Sequence, residues 1–181
     1  MITDIVIVVA AALFIGVYVS WRAGRIDRLH ARVEMARAAL DVTLLRRSAL
    51  ALELATSGLL DPATSLLLAE AVYGTRGGDR PHDLAESDLT RALRAAFSQP
   101  DFRSSLSAKE GADELLADVE AAAHQVFLAR KFYNDMVAVT RDARRRPLAR
   151  VLRLSGKAPA PEFFEMDDSL IADKAGATLG R

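Results

Sequence analysis

The sequence predicts an all-α protein: an N-terminal transmembrane helix followed by an up-down four-helix bundle with two long and two short helices. Three observations predict it. The chain opens with an apolar run that carries no charge between Ile5 and Trp21. Apolar residues then recur at 3-4 spacing through two long segments, and no stretch competes with the period of two that marks a strand. Ala and Leu dominate a hydrophobic content of 51%, against 6% aromatic, in 181 residues, a mix that favours helix. The expected organisation is an anchor over residues 1–21, a helical bundle over 22–155 and a Pro/Ala arm with its tail over 156–181.

The anchor comes first. Its 17 or so uncharged residues cover about 25 Å as a helix, at the short end for a hydrocarbon layer of about 30 Å. A buried core helix and a cleaved signal peptide are therefore the alternatives. The residues before the apolar run include Asp4 and no Lys or Arg, where a secretory signal carries positive charge. Tyr18 and Trp21 stand at the C-terminal border, where interfacial aromatics belong. Arg22, Arg25, Arg28 and Arg32 follow at once. By the positive-inside rule the N-terminus is outside, the rest is cytoplasmic, and the protein is single-pass in the plasma membrane.

The first long helix, over 25–60, carries an amphipathic stripe at Ile26, Leu29, Val33, Ala36, Leu40 and Leu44. Asp61 as N-cap and Pro62 in the first turn restart a helix that ends near Tyr73. The Gly, Pro and Asp content of residues 74–83 predicts a loop. A third helix is expected over Glu86–Ser98, with Leu89, Leu93 and Ala96 or Phe97 inward, and "QPDF" breaks it. The last helix is expected to open at Ser107, where Ser107 and Glu110 form a capping box. Its apolar line is Leu115, Val119, Ala122, Val126, Ala129, Tyr133, Met136 and Thr140, in heptad register. The first and last helices are each close to 40 residues, hence about 55–60 Å long.

Function classes narrow quickly. The net charge is zero, so no global field steers the chain to nucleic acid. The absence of Cys removes disulfides and thiolate metal sites. His30, His82 and His124 stand alone, with no second ligand at i+3 or i+4 in a zinc-type motif. "GTRGGDRP" lacks the G-K-[ST] ending of a phosphate loop. Asp113, Glu114, Asp118 and Glu120 read as a solvated face. Neither a triad nor a di-metal motif is suggested, so the sequence predicts no enzyme, no cofactor and no metal.

Three groups of residues invite a functional reading. In an up-down bundle the basic end of the last helix, with Arg144, Arg145 and Arg146, returns to the membrane exit at Arg22, Arg25 and Arg28. Anionic lipid attracts such residues by about 1 kcal/mol each; the alternative is that they complement the helix dipole. Leu148, Val151, Leu152 and Leu154 could make an amphipathic foot there. The arm ends in Phe163, Phe164 and Glu165, a tag that docks on its own bundle, on the membrane or on a partner. Residues 169–181 are expected to lack order.

The third group is "KFYNDMV" (131–137), which holds Asn134, the chain's single asparagine. In antiparallel first and last helices, residues 40–47 face residues 125–135. Asp41, Arg46 and Arg47 then become the polar partners of Tyr133 and Asn134. Such a buried polar group costs energy unless paired and fixes register between helices. The competing reading is a partner-binding site.

Two of these stretches also carry a family likeness. "VEMARAALDVTLLRR" (33–47) is similar to the V-x-x-A…D-V-Q-L-K-R-R segment of the LemA family of bacterial membrane proteins. Val33, Ala36, Asp41, Val42, Leu44, Arg46 and Arg47 match. "ARKFYNDMV" (129–137) resembles that family's A-R-R-F-Y-N-D-x-V block, apart from Lys131. "APAPEFFE" resembles its Pro-aromatic-acidic ending. After Arg47 the chain reads "ALALEL" where the family has D-L-I-P-N-L, which makes it a divergent member. The resemblance implies a single-span membrane protein with a helical cytoplasmic domain and no assigned chemistry. The expected function is a scaffold or protein-interaction module working with other membrane proteins. An accessory subunit of a larger membrane complex, or an anionic-lipid surface binder, is the alternative.

Overall fold

The computed structural model describes residues 1–77, 81–100, 102–106, 109, 111–145, 159–167 and 169, without the side chains of residues 11, 22, 23, 26 and 105. Among these residues every regular element is a helix: α1 Ile2–Thr56, α2 Pro62–Arg76, α3 His82–Phe97, α4 Phe102–Leu106 and α5 Ala112–Arg145. Several expectations fall outside the described residues. They are the Ser107–Glu110 capping box, Arg146, the foot at 148–154 and the tail from 170.

The apolar run and the first amphipathic segment are one unbroken helix. α1 has 55 residues, about 82 Å at 1.5 Å per residue. It stops at Thr56 rather than at 60, because Gly58 takes a left-handed φ of 72°. That conformation suits glycine and ends a helix. Asp61 caps α2 as expected, its carboxylate accepting from the N–H groups of Ala63 and Thr64 at 3.1 Å each. α2 then runs through Gly74 to Arg76, past the expected end at Tyr73.

Two elements differ from the sequence expectation. α3 begins at His82 rather than Glu86, because the Pro81 carbonyl accepts from Leu84 and Ala85 N–H and starts the first turn. Glu86 is thereby drawn into the helix and onto its buried face. After the break at "QPDF", the five-residue helix α4 intervenes. α5 opens at Ala112, just after Gly111 at φ 75°.

The chain forms two compact units. One comprises Met1–Arg37 with Phe132–Phe163; the other comprises Ala38–Lys131 with the segment from Phe164 onward. The second unit has a core built by all five helices, with Leu54, Leu68, Leu89, Leu93, Phe102 and Leu116 as its large members. The first unit buries Val33, Ala36, Tyr133, Val137 and Thr140. Within it α1 and α5 run antiparallel: Arg37 lies over the Tyr133 ring, and Arg144 reaches back to His30.

Burial along α5 follows the heptad line with a drift. Val119, Ala122, Val126, Tyr133 and Thr140 are buried, whereas Leu115 and Met136 are half-buried and their neighbours Leu116 and Val137 are buried. A helix of 3.6 residues per turn slips about 20° per heptad against a strict seven-residue repeat, so the buried position moves by one residue.

Candidate functional site

Three arrangements of polar, aromatic or basic residues stand out. The first is in the second unit. Arg47 continues the apolar stripe of α1, yet only 2% of it is exposed. Its Nη1 donates to Thr90 Oγ1 at 2.8 Å, and its Nη2 to Glu86 Oε2 at 2.5 Å and to the Glu86 carbonyl at 3.2 Å. Glu86 is equally buried, and Thr90 Oγ1 donates back to the Glu86 carbonyl. Burial lowers the Arg47 pKa, and the Glu86 charge opposes that fall. Arginine keeps its proton in proteins, so this is a buried ion pair. Among the described residues, Arg47 Nε has no hydrogen-bond partner.

Beside this pair lies a cleft of about 380 Å³ lined by Asp41, Leu44, Ser48, Thr75, His82 and Glu86, among others. His82 Nε2 is 3.8 Å from Glu86 Oε1. Asp41 is half-buried and Arg46 exposed. Of the first sequence block, then, Arg47 pairs with α3, through Glu86, a carboxylate that the sequence reading does not single out. The signal was in the sequence: Glu86, Leu89, Thr90 and Leu93 share one face of α3 at 3-4 spacing, and a carboxylate on such a stripe needs a cation. Asn134 is half-buried on α5.

The second arrangement is the extended segment from Pro159. In the first unit, Tyr133 Oη donates to the Glu162 carbonyl at 2.7 Å and Arg144 Nη1 to the Pro159 carbonyl at 2.8 Å. Arg141 stacks over the Phe163 ring at 5.0 Å. These carbonyls are three residues apart, the period of a polyproline helix, whose backbone groups have no internal partners. Tyr133 is therefore the receptor of a backbone strap. That is a role the sequence reading did not give it.

In the second unit, Phe164 packs its ring 5.9 Å from that of His82. Ser87 Oγ accepts from Asp167 N–H at 3.0 Å. Phe164 and Met166 are buried while Phe163 and Glu165 are exposed. Successive side chains of an extended segment point to opposite sides, and this divides the expected tag. Phe164 is used by the chain's own helices; Phe163 and Glu165 are left on the surface. The Asp167 carboxyl is held below its ordinary value, chiefly by the Ser169 hydroxyl.

The third arrangement is the end of the first unit that carries the apolar N-terminal helix. Ile2–Trp21 is long and apolar enough to cross a membrane. Its described side chains are exposed, Phe14 by 76% and Val17 by 70%, apart from the half-buried Val19. Arg25 and Arg28 are exposed; the Arg22 side chain lies outside the described residues. Arg144 Nη1 is 2.9 Å from His30 Nε2. A guanidinium only donates, so the His30 ring nitrogen is the acceptor of this contact. Arg141, Arg144, Arg145 and Ala160 line a cleft of about 720 Å³.

No group of three His, Asp or Glu placed to hold a metal ion occurs among the described residues. The fold and these arrangements define an all-α protein with one N-terminal helix able to span a bilayer. Comparison with family models, curated proteins and solved structures gives no match.

Proposed function

We propose that this chain is a single-span plasma-membrane protein of the LemA type, with its N-terminus outside, whose helices act in the cytoplasm as a scaffold for other membrane proteins. In the same reading α1, α2, α3 and α5 complete an up-down bundle, and the chain has no enzyme activity of its own. One observation carries it: an exposed apolar helix runs without a break into the stripe that builds the packed units. Exposed apolar residues in a row are stable in lipid and costly in water.

A second surface supports the scaffold role. Leu66, Leu67 and Tyr73 on α2 are 70%, 51% and 61% exposed. Leu67 also lines a groove of about 400 Å³, with Ala71, Gly74, Ala85, Ala92 and Ala95 and the polar Glu70, Asp88 and Arg91. An apolar groove with polar groups at its edge fits a protein partner better than solvent.

The test uses the full chain in its native membrane. Resistance to carbonate extraction and protease access to a C-terminal tag only from the cytoplasmic side are expected. A photo-crosslinker at Leu67 should capture integral membrane proteins, and one at Glu114 should not. A mature chain beginning after Trp21 would overturn the anchor. Turnover by the purified protein would overturn the scaffold.

A further inference from the structure

We infer that the cleft between the end of α5 and the Pro159–Phe163 strap is a binding site for the phosphate headgroup of an anionic glycerophospholipid. The inference deepens the membrane-anchored reading above and rests on it. The argument begins with charge. Three guanidinium-bearing residues, Arg141, Arg144 and Arg145, line one cleft, and its only other described wall is Ala160 of the strap. No carboxylate lines it among the described residues; Asp27 and Asp142 on the same two helices, and Glu162 on the strap, are exposed.

Arg141 and Arg145 keep donors in hand. Arg145 is exposed and makes no hydrogen bond or ion pair among the described residues. Arg141 stacks its face on Phe163, which engages the plane of the guanidinium and not its five N–H donors. Arg144 is held in place by His30 and by the Pro159 carbonyl. Its contacts fix one wall of the cleft, and the planar forks of Arg141 and Arg145 suit a phosphate oxygen pair. The C-terminal end of α5 opposes an anion with about half a negative charge, and three cations outweigh it.

Position selects lipid over a soluble phosphate. His30, which Arg144 contacts, follows Trp21 by nine residues, about 14 Å along the helix. The headgroup layer is about 5–8 Å thick beyond the hydrocarbon. Helix tilt and the length of an arginine side chain close the remainder. The strap is part of the site because its docking through Tyr133 supplies the Ala160 wall.

The experiment uses full-length protein in neutral detergent. It is titrated with short-chain phosphatidylglycerol or phosphatidylcholine, and bound lipid is counted by native mass spectrometry. Phosphatidylglycerol should bind selectively. Arg145→Gln should weaken it about fivefold, the size of one basic residue's attraction to an anionic surface. Arg141→Gln with Arg145→Gln should weaken it further, and Arg145→Lys should restore most of the loss. Equal binding of the two lipids would overturn the site. So would an equal loss from Arg25→Gln with Arg28→Gln, which a diffuse surface field predicts. Competition by sn-glycerol 3-phosphate at the lipid's own concentration would replace the lipid by a soluble phosphate and overturn the assignment. Carbonate resistance is measured on every variant. Its loss refutes the anchor, whereas retained insertion without lipid selectivity refutes only the cleft.

Discussion

Glu86→Ala is the perturbation that most sharply tests how the second unit is held together. It removes the carboxylate that neutralises Arg47 at 2.5 Å, in a place where both side chains are no more than 3% exposed. The guanidinium then keeps the Thr90 hydroxyl and the residue 86 carbonyl as acceptors, but loses the carboxylate bonded to it. Among the described residues its Nε already lacks a partner, so the site has little slack. Leaving one charge of a buried pair uncompensated costs about 3–5 kcal/mol. At about 2–4 °C per kcal/mol for a chain of this size, the melting temperature should fall by at least about 6 °C. Thermal unfolding of the detergent-solubilised full chain, followed by circular dichroism at 222 nm, reads this directly. The double variant Arg47→Met, Glu86→Leu should recover most of the loss, because an apolar pair of similar volume is often neutral or stabilising against a buried ion pair. A drop below about 4 °C for Glu86→Ala would refute the reasoning. It would mean that water or another group carries the Arg47 charge. Failure of the double variant to recover would instead show that the pair supplies shape and not charge balance.

Other consequences follow from the same geometry. Phe164→Ala should expose the strap to protease and destabilise by about 3 kcal/mol, at the low end for a buried Phe. Phe163→Ala, at the exposed position, should do so by under about 1 kcal/mol, and equal effects would contradict the alternation. Tyr133→Phe removes one hydrogen bond to the strap and should cost about 0.5–1.5 kcal/mol, with faster cleavage near Glu162 as its readout. The Asp61 carboxyl is held below its ordinary value, first by the Thr64 hydroxyl and backbone. Its contribution is therefore present above the unfolded-state pKa and is lost as pH falls through the folded one. Asp61→Asn keeps a capping oxygen without the titration, so its melting temperature should fall less steeply than that of the parent below the carboxylate range. Gly58→Ala should cost about 1–2 kcal/mol through backbone strain alone, since nothing lies within 4 Å of the added carbon. A neutral outcome would mean that the turn relaxes.

What the sequence by itself determined is what local chemistry controls. The uncharged run to Trp21 marks a helix long enough for a bilayer whatever surrounds it. Asp61 and Pro62 start α2 through groups within three residues of each other. The stripe at Val33, Ala36, Leu40 and Leu44 is buried because 3-4 spacing places it on one face. The start of α3 and the helix at Phe102 were less legible, because a proline can begin a helix as readily as end one.

Tertiary structure decided the polar pairings. Arg47 could be matched by eye to the second sequence block, but its partners lie 39 and 43 residues away on α3. Periodicity says which face a residue occupies and says nothing of which charge is opposite. The tag was divided in the same way. "EFFE" reads as four like-minded residues until an extended backbone turns Phe164 inward and leaves Phe163 beside Arg141. "KFYNDMV" likewise offers a tyrosine on a heptad seam. Only the return of the chain, 29 residues on, turns its hydroxyl into the donor that holds the strap. Long-range pairing of this kind is set by which solution satisfies the most buried polar groups at once, and that is a property of the folded chain.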